Sequence, residues 1–166
     1  MRALILAPHQ DDEILGACAL MGRLLRLGAE VCVAYLTNGD YRGRKAATVR
    51  CGESAAALRL LGVDGTYVFY LGYGDTGMRY EHSFLYQLYH MGDEQLLRSK
   101  TAVQTYYPGA GQTLHHFCTN QEAPYTRRYF LQDLNCLLEF CHPEVVVLPS
   151  PYDLHGDHRA CFLFMN

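Results

Sequence analysis

The sequence predicts an α/β fold, a Rossmann-like, doubly wound and mostly parallel sheet flanked by helices. Short, almost unbroken apolar runs alternate with segments whose apolar residues recur every three or four positions, the pattern of repeated strand–helix units. The apolar runs carry no polar alternation, as expected of strands buried on both faces. With 166 residues, 49% hydrophobic and 19% charged, the chain is long enough to enclose a sizeable core as one domain over 1–166.

Each element follows in order. Arg2 to Ala7 reads as strand one. Asp12 to Leu27 repeats apolar residues at Ile14, Cys18, Met21 and Leu25 and ends at Gly28, a C-terminal cap. Glu30 to Leu36, "EVCVAYL", is a second strand, followed by the turn "TNGD". "ATVRCGESAAALRLLG" places Ala47, Cys51, Ala55, Leu58 and Leu61 on one helix face and stops at Gly62. "TYVFYLG" is a third strand, "RRYFLQDLNCLLEFC" a helix, and Glu144 to Leu148 a Val-rich strand halted by Pro149. Between Asp75 and Thr126 the pattern dissolves, apart from a short helix near Phe84 to Met91. So long an irregular stretch in a compact domain points to function or mobility.

Composition excludes several classes. Net charge is −3 with no basic stripe, which argues against a nucleic-acid partner. No apolar run approaches the ~20 residues a bilayer crossing needs, so no membrane insertion is expected. The N-terminal apolar run is too short for a secretory signal, and a cytoplasmic location is the expectation. Seven cysteines, an odd number without a CxxC pair, argue against a disulfide framework or a thiolate zinc knuckle. They are expected to pack as small hydrophobes.

The chemistry lies in two clusters. "PHQDDE" ends strand one with His9, Asp11, Asp12 and Glu13; "DLHGDH", Asp153 to His158, follows the Val-rich strand. Ligands in an open parallel sheet bind outside the carboxyl ends of the strands where strand order reverses. With the order 3-2-1-4 the two clusters meet there. Acids and imidazoles converging in one crevice suit a borderline-soft divalent ion, zinc above all. Taken singly, Asp11 or Asp12 could be a helix cap, His9 a core histidine, and His155 and His158 surface residues. The pairing of clusters at matching strand ends weighs against those readings. His115, His116 and Cys118 read as a solvated loop, and "LGYGDTG" lacks the spacing of a phosphate loop.

"PHQDDE" with "HGDH" far downstream resembles the PIG-L/LmbE-like family of zinc-dependent N-deacetylases. "LTNGD", "RCGESAAALRLLG", "LGYGD" and "YTRRYFLQDL" agree with it along nearly the whole chain. The resemblance implies removal of an N-acetyl group from an N-acetylated sugar or glycoconjugate, with one Zn2+ per chain and other divalent metals as alternatives. It implies His9, Asp12 and His158 as metal ligands and Asp11 as the general base that takes a proton from water. His155, oriented by Asp157, would stabilise the oxyanion or protonate the departing amine. Arg50 would contact substrate, or else pair with Glu53 on its own helix; Glu13 would stand behind the ligands. Which of Asp11 and Asp12 binds metal is assigned by the family, since spacing leaves it open. Gln10 stands where the family usually has proline. The sequence ends eight residues after His158, where family domains usually continue, so a C-terminally truncated domain is expected. Its open sheet edge would invite a homo-oligomer. Two rivals stand beside this reading: a magnesium-dependent phospho-receiver module using Asp75, and a catalytically inactive sugar-binding fragment of the deacetylase fold.

Overall fold

The computed structural model describes residues 1–166. Four strands, β1 (Arg2–Ala7), β2 (Glu30–Thr37), β3 (Val68–Tyr73) and β4 (Val145–Val147), form one parallel sheet in the order β3-β2-β1-β4. The order expected for the reversal crevice is therefore present, with β1 and β4 as neighbours. Six helices complete the chain: α1 (Asp12–Arg26), α2 (Arg44–Leu61), α3 (Phe84–His90), α4 (Leu114–Thr119), α5 (Arg127–Cys141) and α6 (Gly156–Phe164). No helix is long and apolar enough to cross a membrane.

The strands are apolar throughout because their alternate residues enter two different cores. Ala3, Ile5 and Ala7 of β1 join Val31, Val33 and Tyr35 of β2 against Ala17, Met21 and Leu24 of α1 and Cys51 and Leu58 of α2. On the opposite face, Leu4, Leu6, Cys32, Ala34 and Leu36 meet Phe84, Leu85 and Leu88 of α3, Phe130, Leu134 and Leu137 of α5, and Ala160 and Cys161 of α6. Burying each large side chain contributes roughly 1.5–3 kcal/mol against the entropy of ordering the chain.

The helices sit where the periodicity places them, with small rotations. The α1 face against the sheet is Glu13, Ala17, Met21 and Leu24; Ile14, Cys18 and Leu25 flank it half-buried. Small Ala17 permits close approach, and Glu13 is drawn inward by a backbone contact described below. On α2 Ser54 is buried along with Ala47, Cys51 and Leu58, whereas Ala55 is exposed. The Ser54 hydroxyl donates to the Cys51 carbonyl at 3.1 Å, which removes the penalty of burying it. Gly62 closes α2 at φ 88°, a left-handed conformation that glycine adopts without strain.

The excursion between β3 and α5 is more ordered than its composition predicts. It contains α3 near the expected place, and also α4, whose Thr113 side chain accepts from the His116 N–H. Two fully buried residues of "TNGD" tie the excursion down. Asn38 Nδ2 donates to the carbonyls of Gly72 (3.0 Å) and Tyr106 (2.9 Å). The Asp40 carboxylate accepts from the Asp75 N–H (2.8 Å), the Tyr106 hydroxyl (2.8 Å) and the Thr101 hydroxyl. The "TNGD" segment is thus a buried anchor as well as the turn its composition predicts. His115 also departs from expectation: it is buried, and its Nδ1 lies 2.5 Å from Asp133 Oδ1, with Asp133 Oδ2 accepting from Tyr73 at 2.8 Å.

Candidate metal centre

At the carboxyl end of β1 the chain turns directly into α1, and the turn is unusual. Asp11 has φ 155° and ψ −22°, a conformation L-residues rarely adopt. Its N–H donates to Glu13 Oε2 at 3.0 Å, and its carboxylate meets Arg50 at 3.2 Å. Burial raises the pKa of the Glu13 carboxyl above its ordinary value. The Gln10 side chain donates to the Thr37 carbonyl at 2.6 Å, which fastens the turn to the end of β2. On the neighbouring strand, β4 leads through Asp153 into α6, whose first residues are Gly156, Asp157 and His158. A Cβ on Gly156 would collide with the Tyr80 carbonyl and the Ser83 hydroxyl. Only glycine lets α6 start this close to the excursion.

The two clusters meet on Asp12. Its Oδ2 accepts from the His9 N–H at 2.8 Å and faces His9 Nδ1 at 3.2 Å. Its Oδ1 lies 3.2 Å from His158 Nε2. The outer nitrogen of each imidazole also meets a carboxylate: His9 Nε2 is 3.0 Å from Asp157 Oδ2, and His158 Nδ1 is 3.0 Å from Asp153 Oδ2. His155 completes the group, its ring centroid 4.8 Å from that of His9 and 4.9 Å from that of His158. Its Nδ1 accepts from the Asp157 N–H at 3.3 Å, which leaves the ring proton on Nε2 in the neutral form.

Charges in the cluster follow from these contacts. Burial pushes Asp12 up, but the hydrogen bonds from His158 and His9 outweigh it and hold the carboxyl well below its usual range. Burial lowers His9, and its bonds to Asp12 and Asp157 more than reverse that. His158 is raised in the same way, against burial, by Asp12 and Asp153. His155 has no carboxylate on its ring; burial and then the neighbouring charge of His9 lower it. Asp75 at the end of β3 is raised by burial and reaches the same cluster, within 4.8 Å of His9 and Asp157.

His9, Asp11, Asp12, Glu13, Arg50, His155, Asp157 and His158 therefore all lie in or beside one crevice, with two differences in their contacts. The Asp157 carboxylate orients His9, not His155; it is itself fixed by the Leu85 N–H at 2.6 Å, and it meets His155 only through its backbone. Arg50 does not pair with Glu53. It crosses to the crevice and donates to the Gln10 carbonyl at 3.0 Å and to Asp11. Sequence reasoning missed Asp153 as a partner of His158 and Asp75 as a neighbour of His9. Asp153 had a signal, being the first acid of its own cluster; Asp75 is far away in sequence and arrives only through the Asp40 anchor. Asp75 does not occupy a receiver-type position, because β2 separates β3 from β1 whereas that fold sets them side by side.

The donor set fits a borderline divalent ion. The ring nitrogens of His9, His155 and His158 lie within 4.8 Å of one another, and the half-buried Asp12 carboxylate stands between two of the rings. Outer carboxylates on the far ring nitrogens are the usual means of orienting metal-binding imidazoles. A cleft of about 450 Å³ between α1 and the β4 segment, lined mainly by residues such as Leu15, Ala17, Val147 and Pro149, also reaches Asp12, Asp153 and His158.

Comparisons with known proteins place the fold. N,N'-diacetylchitobiose deacetylase from Pyrococcus horikoshii superposes with a TM-score of 0.63 at 22% identity, over 99% of this chain and 47% of that one. A deacetylase–teicoplanin complex from teicoplanin biosynthesis gives 0.61 at 18%, over 99% and 64%. The zinc-inhibited form of the teicoplanin deacetylase Orf2 gives 0.58 at 17%, over 99% and 62%. These likenesses establish a shared fold, and the chain spans from about half to just under two thirds of those structures. No curated protein sequence matches the chain. The GlcNAc-PI de-N-acetylase family profile matches residues 4–166, so nearly every element described above is accounted for by one family, and the chain belongs to the PIG-L family.

Proposed function

We propose that the chain is a metal-dependent N-deacetylase acting on an N-acetylated sugar or glycoconjugate. The observation that carries this reading is the Asp12 carboxylate, held between an imidazole from each of two clusters far apart in sequence. His9, Asp12 and His158 are the proposed ligands, and zinc is the first candidate ion. A divalent ion held there supplies Lewis acidity, polarising an amide carbonyl and making water acidic enough to lose a proton near neutral pH.

The remaining groups divide the work. Asp11, exposed at the mouth and ion-paired with Arg50, takes the proton from the attacking water and passes it to the departing amine. Arg50 aims that carboxylate, and its guanidinium also faces the crevice where a sugar hydroxyl could accept from it. His155, neutral with its proton on Nε2, donates a hydrogen bond to the carbonyl oxygen as negative charge develops there. Asp157 and Asp153 hold His9 and His158 in place.

Metal content and deacetylation of a panel of N-acetyl sugars test this directly. After reconstitution with zinc, and in parallel with other divalent ions, the chain should retain near-stoichiometric metal and release acetate. His158→Ala should lose both. Retained metal without acetate release from any N-acetyl sugar would leave a sugar-binding module in place of an enzyme.

A further inference from the structure

All seven cysteines are free thiols in the structure, yet they are not placed alike. Helices α4 and α5 are joined by the 2.5 Å contact of His115 with Asp133 and by edge-to-face contacts of His115 with Tyr129 and Phe117 with Phe140. One turn on from His115 is Cys118, and one turn on from Asp133 is Cys136. Contacts advance in the same direction along both helices, from His115–Asp133 to Phe117–Phe140, and a step of three residues stays on the same helix face, so Cys118 and Cys136 face each other across the α4–α5 seam. Burial, and then the adjoining Cys118 sulfur, push the Cys136 thiol up to about 12. Cys118 is exposed and Cys136 half-buried. Cys32 and Cys141 also adjoin each other, but both are buried to 1% exposure and closed to reagents.

We propose that Cys118 and Cys136 form a reversible dithiol–disulfide site, oxidised by a small-molecule disulfide, that latches α4 onto α5. Exposed Cys118, as thiolate, attacks one sulfur of the disulfide RSSR, forming a mixed disulfide and releasing one RS⁻, which takes up the proton Cys118 gave up. Cys136 then attacks the Cys118 sulfur; its proton goes to the second departing RS⁻. Two protein thiols and one RSSR become one protein disulfide and two RSH. Protonated Cys136 is the slower partner, so the mixed disulfide on Cys118 precedes ring closure.

The latch acts on the excursion. Within the closed loop Glu122 accepts from Thr105 at 2.6 Å and Thr113 at 2.9 Å. The same excursion reaches the end of β2 through Thr101, Tyr106 and Asp40. Closing the loop removes conformations in which α4 lifts from α5 and should hold the excursion on the body of the fold.

Incubating the folded chain with glutathione disulfide, alkylating the remaining thiols and mapping peptides over time tests this site. The expected result is glutathione on Cys118 first, then a Cys118–Cys136 bond that dithiothreitol reverses, with Cys32 and Cys141 untouched. Cys136→Ser should stall at the Cys118 adduct, and Cys118→Ser should prevent all reaction at Cys136. Limited proteolysis within residues 92–126 should slow in the oxidised form. Accumulation of an unresolved Cys118 adduct in the unmutated chain, or pairing of Cys118 with any other thiol, would overturn the proposal. The time course of the unmutated chain decides it even where a variant fails to fold.

Discussion

Asp12 is a half-buried carboxylate that stays ionised, because two imidazoles from opposite ends of the sequence outweigh the cost of its partial burial. Its neighbour Asp11 has the same chemistry and a different environment: exposed, and balanced by Arg50. The two acids can therefore be separated by mutation. Asp11→Asn should keep its metal and lose roughly 10²–10⁴-fold in rate, as loss of a positioned base does. Metal loss in Asp11→Asn would instead make Asp11 a ligand. Asp153→Asn tests the carboxylate behind His158: metal affinity should fall about 10–100-fold, the usual effect of losing such an outer partner. Titration with a chromogenic chelator measures both.

Among the elements, α6 is the most constrained at its start. Its first residue has no room for a side chain beside Tyr80 and Ser83, and the next two are Asp157 and His158. Gly156→Ala must move either the excursion or the head of α6. A cost of about 1–3 kcal/mol is expected, as for overpacking elsewhere. Because the shift falls on Asp157 and His158, stabilisation by added zinc should shrink as well, which thermal melts with and without the ion would register. If Gly156→Ala melts normally and is stabilised by zinc as before, the close approach does not constrain the centre.

Across the whole molecule stability rests on two cores that share one sheet. Leu134 on α5 is buried in one of them, whereas Leu60 on α2 is 88% exposed. Leu134→Ala should destabilise by about 2–5 kcal/mol, and Leu60→Ala by no more than about 0.5 kcal/mol. Denaturant unfolding of the pair checks the assignment of faces. The two cores also position the centre, which lies where β1, packed between them, and its half-exposed neighbour β4 release the chain into α1 and α6.

The sequence by itself determined the strands, four of the helices and the two clusters; the strand order that brings the clusters together entered as the common arrangement and was decided by the structure. The sequence could do so because burial on both faces makes a strand read as an apolar run, and because acids and imidazoles gathered into short motifs stand out from the apolar strands around them. Neither property depends on knowing the partner in space. The tertiary structure decided what needed a distant neighbour. Asn38 and Asp40 look like turn residues until Tyr106 and Asp75 come down on them. His115 reads as solvated until Asp133 meets it from α5, and the short α4 has too few residues to show a period. Asp157 lies two residues from His155 in the chain, but its carboxylate faces His9. Side-chain partners are set by the direction in which each element leaves the sheet, and that direction exists only once both cores have packed.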